Sequence, residues 1–284
     1  MTRRAEPLGI VRSLPIDVYH SDRTAISNTG LNDIGRSPLH FHKLHLDPRR
    51  PPPEDKPSHL HGNLCHCATL EPDEFDKRYK VGPINDKRLV AWKEWERETR
   101  KIIGNGVTLI TPEQREVALA QAESIRSNPD VAALMSDGQA EVSAYWVDPV
   151  TGVRCRCRPD FRAATGKRGR WSILLDVKTY GSADREEFRR QVERMEYHQQ
   201  AAYYTDGYAV ASQQPVVAFV FIAVEDKYPF LSSAVMLDDD SLEAGRRLYR
   251  KRLDRYATCL RENVWPGYSN TIELIRLSNW TLQQ

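Results

Sequence analysis

The sequence predicts an α/β protein: a central mixed β-sheet flanked by helices, with a helical N-terminal extension ahead of it. Three observations carry that expectation. Trp171-Ser172-Ile173-Leu174-Leu175-Asp176-Val177 is apolar enough for a buried strand, and the turn residues Gly166 and Gly169 set it in a hairpin with the strand before it. Pro215 to Val224 is an unbroken apolar run, read as a second buried strand with Ser232 to Leu237 beside it. Helix signals surround these strands. Thr111-Pro112-Glu113-Gln114 puts Thr at N-cap, Pro at N1 and Gln at N3, while Asp238-Asp239-Asp240-Ser241 opens a long helix to about Asn263, its carboxylates complementing the helix dipole.

With 284 residues the chain can bury a substantial core in one domain. Residues 1–18 show no periodicity and are expected to be a flexible terminus. A single domain is expected over 19–284, helical from 19 to 135, with the α/β core and C-terminal helix in 136–284. Hydrophobic residues make up 40% and charged residues 28%, the composition of a soluble globular protein. The formal charge of +2 leaves room for strong local fields of both signs. No run of eighteen apolar residues and no apolar signal core exist, so no membrane association and a cytoplasmic location are expected. Cys65, Cys67, Cys155, Cys157 and Cys259 are an odd number, and Cys-x-Cys spacing is narrower than structural zinc sites use. Alternation along Val153, Cys155, Cys157 and Pro159 makes the second pair an inward strand face.

From Ile26 to Leu46 the pattern is helical, with Asn28 or Thr29 as caps, and His40, His42 and His45 read as partly exposed helix histidines. Residues 49–56 form a proline-rich connector. His61 to Phe75 contains a short helix ended by Pro72. Lys87, Arg88, Trp92, Lys93, Trp95, Arg97, Arg100 and Lys101 have two readings. They form a solvated face anchored by tryptophans, or an arm that touches phosphates and stacks on an unpaired base. The Thr111 helix should reach Arg126, and a shorter one spans about Val131 to Met135. Glu141 to Val147 is the first core strand and Val153 to Phe161 the next, placing Arg154, Arg156, Arg158 and Asp160 on one face. That row suits a nucleic-acid backbone, or else a salt-bridged outer face paired with Glu141 or Asp148. Phe188, Val192 and Met195 mark the apolar side of a later helix, and Gln200 and Tyr204 share a face of the next, about His198 to Ala211.

Asp160 and Asp176 are separated by fifteen residues, and Asp176 shares a strand face with Lys178 while Val177 points the other way. If the strand carrying Asp160 lies alongside, two carboxylates meet. They repel unless a divalent cation sits between them, for which Mg²⁺ or Mn²⁺ is suited.

At Pro159-Asp160, Asp176-Val177-Lys178 and Gln200 to Tyr204 the sequence resembles the PD-(D/E)XK nuclease superfamily. Tyr197 to Tyr208 resembles in particular its exodeoxyribonuclease VIII (RecE) group. Ser37-Pro38-Leu39-His40-Phe41, Gly62 to Pro72 with its histidine at His66, and Trp265 to Tyr268 extend the likeness to nearly everything from Tyr19 onward. The resemblance implies a restriction-endonuclease-like core and a Mg²⁺-dependent exodeoxyribonuclease. Asp160, Asp176, Glu141, His66 and the Val177 carbonyl would hold one or two ions, and Lys178 would serve the attacking water. Gln200 would act as a positioner, and Tyr204 as a packing or phosphate-contacting group. It also implies double-stranded DNA ends as substrate, 5′ to 3′ digestion, a ring-shaped homo-oligomer such as a tetramer, and an annealing protein as partner in recombination. Relatives with an iron–sulfur cluster use three cysteines near the C-terminus; only Cys259 lies there, so no cluster is expected. Without the resemblance, His66 is a core-facing helix histidine and Glu141 an exposed strand-end carboxylate. Competing functions are a structure-specific or restriction-type endonuclease, a non-catalytic nucleic-acid-binding module, and a zinc-dependent regulator built on the Cys-x-Cys pairs.

Overall fold

In the computed structural model, which describes residues 7–51 and 57–283, the chain joins the fold earlier than its sequence suggests. Strand β1 (Gly9–Val11) pairs antiparallel with Ser143–Tyr145, and helix α1 (Ile16–Ser21) buries Tyr19. The expectation of a flexible terminus over 1–18 is corrected from Gly9 onward, because a three-residue strand has no length in which to show a period. Helix α2 (Asn28–Arg36) is capped by Ser27, whose side chain accepts from the Gly30 N–H, rather than by Asn28 or Thr29. Ser37 caps α3 (Pro38–Phe41), and one π-helical turn, His42–Leu46, follows. The expected connector at 49–56 falls largely outside the described residues.

Helix α4 (Pro57–Leu70) stops before Pro72, which then occupies the first turn of α5 (Pro72–Arg78). Strands β2 (Tyr79–Val81) and β3 (Thr108–Ile110) pair in parallel around α6 (Val90–Ile103). Helix α7 (Pro112–Ser127) carries the expected capping box between Thr111 and Gln114, and α8 (Pro129–Met135) is capped by Asn128.

The two core strands expected at 141–147 and 153–161 are instead four. Strands β4 (Gly138–Ala140), β5 (Ser143–Val147), β6 (Arg154–Cys157) and β7 (Phe161–Thr165) form one long antiparallel ribbon, β4 against β7 and β5 against β6. It is bent at Glu141 on one side and at Arg158-Pro159-Asp160 on the other. Pro159 has no N–H to offer a ladder, and Glu141 adopts φ 55°, so neither strand runs straight on. The bend distributes the ribbon between two sheets. One is three-stranded, β1-β5-β6. The other is five-stranded and mixed, in the order β10-β9-β8-β7-β4, using β8 (Trp171–Tyr180), β9 (Val216–Glu225) and β10 (Ser232–Met236), with β8 and β9 parallel.

Helices α9 (Arg185–Arg194), α10 (Tyr197–Ser212) and α11 (Asp239–Glu262) cover one face of this sheet, and α4, α7 and α8 the other. A short α12 (Asn279–Leu282) ends the chain. Alternation along β8 follows: Leu174 joins the core under α9 and α10, and Leu175 and Val177 the core under α4 and α7. Burying each such side chain contributes about 1.5–3 kcal/mol. With both faces covered, β8 is a rigid platform for the residues it carries. Phe188 and Val192 are buried on α9 as expected, but Met195 is 46% exposed because the helix ends at Arg194.

Candidate active site

The bend in the ribbon is where acids gather. The Glu141 N–H donates to the Asp160 carbonyl (2.9 Å), continuing the ladder for one residue past β4. A left-handed backbone at a residue other than glycine costs on the order of 1–2 kcal/mol, and here it turns the Glu141 side chain toward Arg158, whose Nε lies 2.7 Å from Oε2. Arg158 also donates to the Leu14 carbonyl (2.9 Å), so one guanidinium ties Glu141 to the N-terminal segment.

Across from this bend runs β8. Phe161 pairs with Leu175, so the register places Asp160 opposite Asp176. Asp160 Oδ2 accepts the Val177 N–H at 2.7 Å, and His66 Nδ1 of α4 lies 3.5 Å from the same oxygen. The other ring nitrogen, Nε2, is 2.8 Å from the Val177 carbonyl; a carbonyl only accepts, so Nε2 carries the proton. Burial, the largest influence, lowers the His66 pKa and keeps the ring neutral, which leaves a lone pair on Nδ1 facing a carboxylate oxygen. Two acceptors in contact repel unless a cation lies between them. One ligand atom each from His66, Glu141 and Asp160 falls within 4.8 Å of the others, and all three residues are half-buried rather than sealed.

Asp176 stands beside this group, not in it. It is 2% exposed; Oδ1 accepts from Gln200 Nε2 (2.6 Å), and Lys178 Nζ lies 2.5 Å from Oδ2. The Lys178 ammonium is the group that faces the buried Oδ2. Lys178 Nζ also sits 4.8 Å from the centre of the Tyr197 ring. Burial works against its charge, but Asp176 and Asp160 together hold its pKa above the ordinary lysine value. Asp160 is pushed well above the usual carboxylate range, first by burial and then by the Asp176 charge. Glu141 is raised too, by burial and then by Asp160. One imidazole nitrogen and carboxylate oxygens from two acids, within 4.8 Å of one another, make a donor set that fits a divalent cation.

A family profile described as a PDDEXK-like domain of unknown function (DUF3799) matches residues 27–278. The chain belongs to that PDDEXK-like family. Among solved structures it is similar to one from Eubacterium rectale described as a "Putative exonuclease", at 14% identity over 96% of this chain and 98% of that one, with a TM-score of 0.59. A structure described as SSO0001 is 12% identical over 69% of this chain and 84% of that one, with a TM-score of 0.29. Comparison with curated proteins finds no match. The PDDEXK-like fold is thus shared with the first of these structures.

In this PDDEXK-like domain several residues singled out in the sequence lie elsewhere. Arg154 donates to Asp22 (3.1 Å), Thr24 and the Pro7 carbonyl (2.9 Å) and lies 4.7 Å from the Tyr145 ring centre. Arg156 donates to the Tyr19 carbonyl and lies over the Tyr19 ring. The expected DNA-facing row of Arg154, Arg156 and Arg158 is therefore corrected: it fastens the N-terminal segment, and of the two acids suggested as partners only Glu141 serves. Asp148 pairs with Arg250. Trp92 is 2% exposed and rests on Gly82, where a Cβ would come within 2.2 Å of the ring, so it anchors α6 and cannot stack on a base. Lys93 is exposed on the same helix.

Tyr204 packs edge-on against Phe219, and burial raises its pKa well above the ordinary tyrosine value, with the charges of Asp176 and Asp160 contributing. His40 and His45 are taken by Ser37 and Asp33, and His42 packs on Trp265. Cys65, Cys67, Cys155, Cys157 and Cys259 are all buried thiols. Sequence reasoning missed Tyr197, although it lies three residues before Gln200 on the same helix face. It also missed the wall of the cleft: about 610 Å³ of open space over His66, Glu141 and Arg158 is bounded by the segment from Ser13 to Asp17. That segment gave no signal.

Proposed function

We propose that the chain is a Mg²⁺-dependent deoxyribonuclease that hydrolyses phosphodiester bonds at double-stranded DNA ends. The observation that carries this reading is the half-buried trio of His66, Glu141 and Asp160, with ligand atoms within 4.8 Å of one another and Lys178 beside them. A divalent ion held there supplies a water of lowered pKa and offsets charge growing on the phosphate. The chain's own groups do the rest. Asp160 and Glu141 offer oxygens, with His66 Nδ1 completing the set. Arg158 fixes Glu141 and Gln200 fixes Asp176. The Lys178 ammonium, kept charged by two acids, faces the nonbridging oxygens of the scissile phosphate and orients the attacking water. The attacking water would pass its proton to solvent as its oxygen bonds to phosphorus, the bond to the 3′ oxygen would break, and the departing oxygen would take a proton from solvent.

The Eubacterium rectale structure is described only as an exonuclease, which supports that mode of attack; a role in recombination, 5′ to 3′ polarity, a ring-shaped oligomer and an annealing partner rest on the resemblance to the RecE group alone. Among the described residues no helix is long and apolar enough to cross a membrane. End-labelled linear duplex and covalently closed circular DNA, each incubated with Mg²⁺, test the reading. Linear DNA should be degraded and circular DNA spared, and Lys178→Met should lose activity on the linear duplex. Equal cleavage of the circle would replace the exonuclease with an endonuclease, and undiminished cleavage by Lys178→Met would remove this site from the chemistry.

A further inference from the structure

The side chain of which the proposed chemistry asks most is also the one with most freedom. A lysine carries its charge at the end of a flexible four-carbon stem, and ordering that stem costs conformational entropy. At Lys178 two groups bear on the charged end. Asp176 draws it in, with Oδ2 2.5 Å from Nζ, and Nζ also lies over the ring of Tyr197, 4.8 Å from its centre. The negative face of an aromatic ring attracts a cation, more strongly where water is scarce, and the Lys178 side chain is only 20% exposed.

The ring is itself held in place. It stacks on Phe221, with centroids 5.8 Å apart and 27° between the planes, and lies near Phe188; both phenylalanines are buried. In the β8–β9 register Phe221 stands opposite Asp176, whereas the small Ala223 stands opposite Lys178. Tyr197 is the first residue of α10, after a left-handed Glu196, and α11 fixes that turn. Arg252 donates to Glu196 (2.8 Å) and to Gln199 (2.5 Å), and Gln199 donates to Asn28 (2.8 Å) and Asn32 (2.7 Å) of α2. At Gly245, α11 runs so close that a Cβ would collide with the His198 carbonyl. Three residues after Tyr197, on the same helix face, Gln200 donates to Asp176 Oδ1. The opening turn of α10 thus bears on both members of the Asp176–Lys178 pair, an amide on the acid and a ring on the ammonium.

We propose that Tyr197 is a positioning residue whose ring face sets the Lys178 ammonium, leaving it an N–H to offer the scissile phosphate or the attacking water. An ammonium has three such donors, and the acid does not use them all. The purpose of the contact rests on the nuclease reading; its geometry does not. The ring does the holding, so phenylalanine serves in place of tyrosine and an aliphatic side chain does not. With leucine there, the acids are the attraction that remains and the ammonium closes on them.

NMR of the metal-free full chain, labelled with ¹³C at lysine Cε, reads the contact without any cleavage. The Lys178 signal, identified by its loss in Lys178→Met, should lie upfield of the other lysine signals through the ring current of Tyr197. It should stay there in Tyr197→Phe and fall back among the others in Tyr197→Leu. Cleavage of end-labelled linear duplex with Mg²⁺ reads the consequence. In Tyr197→Leu, kcat should drop about tenfold with KM nearly unchanged, and Tyr197→Phe should restore it. An unshifted Lys178 signal in the wild-type chain overturns the proposal, even should Tyr197→Leu fail to fold. Equal losses of kcat in the Phe and Leu variants overturn it as well, because the hydroxyl would then be the working group, and so does an undiminished kcat in folded Tyr197→Leu. A shifted signal in a chain that cleaves no DNA would sink the nuclease reading instead and leave the ring–ammonium contact standing.

Discussion

Two acids on one bent ribbon, Asp148 at its far turn and Asp160 at its bend, are treated oppositely by the fold. Asp148 is 4% exposed, and donors fill its oxygens: the Thr151 N–H (2.8 Å) and hydroxyl (2.7 Å), and both terminal nitrogens of Arg250. Burial opposes its charge, yet these partners hold its pKa below the ordinary carboxylate value. Asp160 has a backbone N–H and, around it, an imidazole lone pair and a second acid, and its pKa goes up. Burial opposes both charges, and more strongly at Asp160, but their partners differ as well. Beyond burial the difference is satisfaction: an acid that holds structure is saturated by donors of its own chain, whereas an acid at a site keeps an acceptor and a second acid close by until something from outside arrives.

The largest effects follow from removing that frustration. Asp160→Asn keeps an acceptor for the Val177 N–H but removes a ligand charge, so DNA cleavage should fall about 10³-fold or more, equivalent to about 4 kcal/mol. Its metal-free unfolding midpoint should stay equal or rise, because a buried like charge beside Asp176 is gone. Steady-state cleavage and a thermal melt on the same preparation check both; a variant that loses activity only because it unfolds would make Asp160 a structural acid like Asp148. Asp148→Asn inverts the pattern. Losing the charge opposite Arg250 should cost about 2–3 kcal/mol of stability by denaturant titration, with cleavage per folded molecule unchanged.

How far the sequence reveals this contrast depends on what kind of partner each residue has. The β8 strand, the β7–β8 hairpin, the Thr111 capping box and the Asp238 cap were legible because side chains of characteristic type carry them. Helix spacing gave only the shared face of Gln200 and Tyr204; the place of Gln200 beside the acids came from the resemblance. The bend was not. Glu141–Val147 and Val153–Phe161 alternate as straight strands would, and only a missing N–H at Pro159 and a left-handed Glu141 divide them. The N-terminal segment was hidden for another reason. Arg154, Arg156 and Arg158 hold it largely through the carbonyls of Pro7, Tyr19 and Leu14, and backbone carbonyls leave no mark on a sequence. The same arginines therefore looked available to DNA. Trp92 on a basic helix reads alike whether it faces inward or outward until Gly82 is placed against it.

A smaller effect separates the two acids by ligand. Saturating Mg²⁺ or Mn²⁺ should stabilise the wild-type protein by about 1–3 kcal/mol, a rise of about 2–4 °C per kcal/mol for a chain of this size, reversed by chelation. Asp148→Asn should keep the increment and Asp160→Asn should lose most of it. An equal increment in both variants would place the ion somewhere other than between His66, Glu141 and Asp160.

The smallest effect is a slope. Because the folded-state pKa of Asp148 is depressed, the unfolded chain binds the extra proton first, and the contribution of this acid to stability is fully present above the ordinary carboxylate pKa of about 3.9. It is lost as pH falls from there through the folded-state value. Urea titrations of wild type and Asp148→Asn should therefore differ by a constant amount at neutral pH and converge below about pH 4. Were the difference to persist unchanged into acid, the Arg250 contact would be acting through shape and packing rather than charge, and saturation by donors would no longer explain why this acid, unlike Asp160, is quiet.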